Sequence, residues 1–166
     1  MTEYSARLTP AMPEAFALRW VSWQLFATLT FRSPTRHARH RTVLFTWVRD
    51  VAHSCHVHFR RVLWLARYEL GRTIGNGHYH LCIAGLPIES VGPAHCRTYE
   101  ASWWRRGGLA QIESYDRARD GLGYVLKRPN LPSRHVCDGD FRDHQDNDFI
   151  PTLSDSLIET MRRRPM

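Results

Sequence analysis

Residues 59 to 86 constrain the fold more than any other part of the chain. Two runs rich in aliphatic and aromatic residues, FRRVLWLARYEL (59–70) and HYHLCIAGL (78–86), stand on either side of GRTIGNG. Runs of this kind predict strands, and a short glycine-bearing connection between them predicts a hairpin. QLFATLTF, from Gln24 to Phe31, alternates and is rich in Thr and aromatics, which predicts a third strand. Ser33 or Thr35 can cap a helix from about His37 to His53, where Val43, Leu44, Trp47, Val48 and Val51 recur at helical spacing. A helix over Pro93 to Arg105, a strand over residues 108–115 and a helix over Asp116 to Arg128, capped by Asp116 and stopped at Pro129, complete the pattern. The order strand, helix, strand, strand, helix, strand, helix predicts an α+β fold: a central antiparallel sheet of about five strands with helices against one face, of the ferredoxin-like kind.

With 166 residues the chain suits one domain with a full core. The expected division is an N-terminal arm over 1–20, the domain over 21–130, and a tail over 131–166 with a short amphipathic helix at 152–163. The formal charge is +7 and the pI about 9.7, with arginine spread through the chain, so a polyanion is the natural partner, nucleic acid before membrane. Four cysteines, widely spaced and never two residues apart, read as reduced thiols and argue against a zinc knuckle. There is no leader pattern and no run of eighteen apolar residues, so a cytoplasmic location is expected and a membrane partner is not.

Residues two apart on a strand face the same side, so His78 and His80 project together. If the hairpin turns at 71–77, Glu69 comes opposite or nearly opposite His78, and three donors converge from neighbouring strands. Two nitrogens and a carboxylate leave coordination positions open, which suits Mn2+ or Mg2+ better than a closed structural zinc site. His56 and His58 repeat the spacing, but they fall at a helix-to-strand transition where the facing rule is unsafe. Further along, Tyr124 and Lys127 are three apart on an expected helix and share a face. Of the twenty-three basic residues all but Lys127 are arginine, so the chain's single primary ammonium stands one turn from that tyrosine. A phenol is a weak nucleophile at neutral pH, and a nearby cation with a metal-polarised phosphate favours its phenolate.

The succession LFATLTF, then Glu69 with GHYH, then GLGYVLK resembles the three motifs of the HUH endonuclease superfamily. The likeness covers about residues 24–128 and is closest to the rolling-circle replication initiators, in the form with a single catalytic tyrosine. It implies an HUH nuclease fold and a metal-dependent, site-specific nick in one DNA strand at a replication origin, through a 5′-phosphotyrosine on Tyr124. Glu69, His78 and His80 would be the metal ligands and Lys127 an accessory cation. The implied partners are single-stranded or hairpin DNA, and a host helicase and polymerase, in a bacterial host carrying a plasmid or phage. Arg36, Arg39, Arg60, Arg72, Arg105, Arg106 and Arg128 would contact DNA phosphates, with Trp103 and Trp104 available to stack on bases. The chain departs from the viral initiators in having no Gly-x-x-x-x-Gly-Lys loop, and hence no expected helicase domain. The alternatives are a single-strand HUH transposase, which shares the chemistry, and a non-catalytic DNA-binding regulator on the same fold. Tyr115 and Tyr4 are the other tyrosines considered as nucleophile.

Overall fold

A computed structural model describes residues 18–33, 37–70, 76–126 and 152–153. The elements in order are β1 (Leu25–Thr30), α1 (His37–Ser54), β2 (Leu63–Leu70), β3 (Gly77–Ala84), α2 (Pro93–Arg106), β4 (Ala110–Ser114), α3 (Gly121–Leu126) and β5 (Thr152–Leu153). The fold is α+β, and the sheet order is β4-β1-β3-β2-β5 with every pairing antiparallel. Four strands of five to eight residues make the body of the sheet, rather than about five. β5 is a two-residue stub on the β2 edge, formed where the terminal helix was expected to start; the rest of that segment lies outside the described residues.

Alternation along the strands divides the sheet into two faces. One carries Leu25, Ala27, Leu29, Trp64, Ala66, Tyr68, Tyr79, Leu81 and Ile83, against which α1 packs Leu44, Trp47, Val48 and Val51, and α2 packs Cys96, Tyr99 and Trp103. Each large apolar side chain fully buried there contributes roughly 1.5–3 kcal/mol. Two of the buried indoles on this face keep their N–H groups bonded, Trp47 to Ser102 Oγ at 2.8 Å and Trp103 to the Thr30 carbonyl at 3.2 Å. Helices are not confined to this face as expected. α3 lies on the other, where Leu122, Val125 and Leu126 join Leu18, Val21 and Trp23 over Leu65, Cys82 and Ala84. Leu18, expected in the arm, is therefore core.

Two local readings change. Phe59–Arg61 form a 3₁₀ turn rather than the start of β2, with His58 Nδ1 accepting from the Arg60 amide. Gly85 closes β3 at φ +86°, where an added Cβ would stand 2.3 Å from the Arg61 carbonyl oxygen, so this turn requires glycine. The single helix expected over 116–128 is broken at Asp120. Asp116 caps a short 3₁₀ turn over Arg117–Arg119, Asp120 adopts the left-handed conformation, and its carboxylate accepts from the Gly123 amide at 3.1 Å to cap α3.

Candidate metal centre and the tyrosine beside it

The face that α3 half covers is polar at its other end. Cα pairing sets Glu69 opposite His78 and Arg67 opposite His80, while Thr28 and Thr30 of β1 stand opposite His80 and His78. Glu69, His78 and His80 thereby form a group that could hold a metal ion, their donor atoms all within 4.8 Å of one another. Glu69 Oε2 is 3.5 Å from His78 Nε2 and 3.6 Å from His80 Nε2. The contacts with His78 first, then His80, hold the Glu69 carboxyl far below the usual carboxylate range, against the opposing effect of burial; the Arg67 charge adds to the lowering.

The donor set fits a cation on a second ground. His80 is 7% exposed, and its Nε2 is buried without a hydrogen-bond partner. Such a nitrogen is costly in a folded protein unless something occupies its lone pair. Its other nitrogen, Nδ1, is 3.2 Å from Thr28 Oγ1, so Nδ1 can hold the ring proton when a cation takes the Nε2 lone pair in place of the contact with Glu69. Phe26 stacks near the same ring, centroids 6.3 Å apart and planes 13° from parallel. These neighbours fix the imidazole in place.

Tyr124 comes to this site from α3. Its ring meets the His80 ring edge to face, with centroids 4.6 Å apart, and the residue is 44% exposed. Gly121 lets the helix approach, because a Cβ there would come within 2.7 Å of the Phe26 ring. Tyr115 is placed differently. Its hydroxyl accepts from the Leu122 amide at 3.2 Å, and burial raises its pKa. Tyr4 and Lys127 lie outside the described residues.

His56 and His58, the rival pair, are exposed and off the sheet; His56 has a positive φ. The arginines expected to grip DNA divide. Arg36, Arg72 and Arg128 lie outside the described residues. Arg39, Arg105 and Arg106 are exposed on α1 and α2, the layer on the far side of the sheet from the histidines, and Arg106 is paired with Asp50. Arg60 is exposed on the 3₁₀ turn before β2. None of these four is among the residues gathered at the triad. Trp103 is wholly buried and so cannot stack on a base, whereas Trp104 is 53% exposed with the Arg32 guanidinium 4.7 Å from its ring centre. The site residues that sequence reasoning passed over are Arg67, whose Nε is 3.0 Å from Glu69 Oε1, and Thr28. The signal for Arg67 was its position two before Glu69 on one strand.

Compared with protein-family models, curated proteins and solved structures, the chain matches none.

Proposed function

We propose that this protein is a metal-dependent single-strand DNA nickase and strand transferase of the HUH type that starts rolling-circle replication, with Tyr124 as its nucleophile. The observation that carries the reading is the packing of the Tyr124 ring on His80, one of the three donors: a phenol and a metal-type ligand set meet on one open sheet face. The β-α-β-β-α-β order with the strand order β4-β1-β3-β2 supports a ferredoxin-like arrangement, on which that family is built.

In the proposed reaction the Tyr124 oxygen attacks phosphorus, the P–O3′ bond breaks, and the chain becomes joined to the 5′ phosphate. The phenol proton passes to solvent, to which the half-exposed side chain is open, and the departing 3′ oxygen takes up a proton as a free hydroxyl. A later 3′ hydroxyl attacks the same phosphorus and reverses the step. A Mn2+ or Mg2+ held by Glu69, His78 and His80 would supply Lewis-acid polarisation of the phosphate oxygens. Thr28 orients His80, and Lys127, the next residue in sequence after α3, is the proposed accessory cation.

The test is incubation with labelled origin-bearing single strands and Mn2+. A covalent adduct is expected, absent with Tyr124→Phe or with chelator. A salt-sensitive mobility shift with no adduct would make the chain a DNA-binding regulator instead, and an adduct that survives Tyr124→Phe would move the nucleophile elsewhere. Sequencing the 5′ end of the trapped strand separates an origin nickase from a single-strand transposase.

A further inference from the structure

Neither the motifs nor the chemistry proposed above uses Arg67, yet it lies inside the site. It is directly opposite His80 in the strand register and 4% exposed, and its Nε approaches Glu69 Oε1 at 3.0 Å. The other carboxylate oxygen, Oε2, faces both histidines. Glu69 is thus divided, one oxygen toward a buried cation and one toward the metal position. An arginine is charged at all accessible pH values, so this cation cannot be discharged when a metal arrives. With neutral imidazoles, the minus one of Glu69 and the plus one of Arg67 sum to zero. The other described carboxylates near this face are engaged elsewhere, Glu113 with Arg119 at 2.7 Å and Asp120 with the Gly123 amide. Glu69 and Arg67 together therefore give a divalent ion at this site no net charge to offset its own.

We infer that Arg67 is a positioning residue that cancels the charge of Glu69 while holding it one-sided, so that metal and an anionic phosphodiester bind interdependently, each weak without the other. This rests on the reading of the triad as a divalent-metal centre. Reciprocity follows from linkage: whatever factor DNA adds to metal affinity, metal adds to DNA affinity.

The experiment counts free Mn2+ by its electron paramagnetic resonance signal as Mn2+ is titrated into the full chain, with and without a short single-stranded oligothymidylate. All arms carry Tyr124→Phe so that no strand is cut. In the reference protein DNA is expected to tighten Mn2+ binding about tenfold or more, within the usual range of coupling between sites. With Arg67→Met or Arg67→Gln the ratio should fall to about twofold or less, while Arg67→Lys, which keeps the charge, retains most of it. Because the readout is a ratio of affinities, a general loss of metal binding from a displaced Glu69 cancels. A ratio unchanged in the neutral variants overturns the inference, as does a reference ratio near one. A neutral-backbone peptide nucleic acid tests the same point without any substitution: coupling that persists with it also overturns the inference. Failure of the underlying metal reading looks different, as no saturable Mn2+ binding in the reference protein, or binding indifferent to His80→Ala.

Discussion

Replacing His80 with alanine offers the sharpest test of the candidate metal centre, because the ring is held by Thr28, Phe26 and Tyr124 while its Nε2 is left without a hydrogen-bond partner. A ligand that binds only the folded chain stabilises it by RT ln(1 + [L]/Kd), about 2.7 kcal/mol at a hundred times Kd. For a domain of this size each kcal/mol moves Tm by roughly 2–4 °C, so saturating Mn2+ should raise Tm by about 5–11 °C. Loss of a partner that merely orients a ligand weakens metal binding about 10–100-fold, and loss of the ligand itself should do no less. At the same Mn2+ concentration the stabilisation then drops to about 1.4 kcal/mol at most and about 0.4 kcal/mol for a hundredfold loss, a Tm gain of roughly 1–6 °C. Scanning calorimetry with Mn2+, and with excess chelator as the zero, measures the gain in each variant relative to its own metal-free Tm. That reference removes the packing lost with the imidazole. His56→Ala, at an exposed histidine off the sheet, should leave the gain intact. A full gain in His80→Ala, or an equal loss in His56→Ala, would refute the assignment of the donors.

Thr28→Val removes the hydroxyl from His80 Nδ1 and should weaken Mn2+ binding about tenfold or more while moving metal-free Tm little; isothermal titration and calorimetry read the two effects separately. Trp103→Ala empties a site between Phe31 and Trp47 and breaks the bond to the Thr30 carbonyl, so urea midpoints should report a loss of about 3–5 kcal/mol, and a loss under about 1 kcal/mol would contradict the packing. Glu69 has a folded-state pKa below its unfolded value, so its contribution is complete above the usual glutamate range, about 4.3, and is lost as pH falls through the depressed value. In chelated protein, stability between about pH 3 and 6 should therefore decline less steeply with acid in Glu69→Gln; identical slopes would argue that the carboxylate is not held as described.

Much of the site was legible because it depends on local rules. The period of two along a strand puts His78 and His80 on one side, and a hairpin joining 59–70 to 78–86 brings Glu69 opposite them; the register has Glu69 facing His78. The tyrosine's helix was legible only in part. Its start was expected at Asp116, but Asp116 and Asp120 each cap a separate turn, and an aspartate near a helix start looks the same in sequence whether one turn or two follow it. Trp103 and Trp104 are adjacent and chemically alike, yet one is core and the other half exposed, since only the angle of α2 against the sheet decides which faces inward.

By itself the sequence determined the α+β class, the hairpin, the shared face of the two histidines and the choice of Glu69, because each follows from spacing along one or two neighbouring strands. Tertiary structure alone decided that α3 crosses to the face opposite α1 and α2 and lays Tyr124 on His80, that Arg67 is buried against Glu69, and that Arg39, Arg105 and Arg106 stand on the far layer. Those outcomes depend on which apolar stripe covers which part of the sheet. That is a competition among long-range contacts, and no local period records its result.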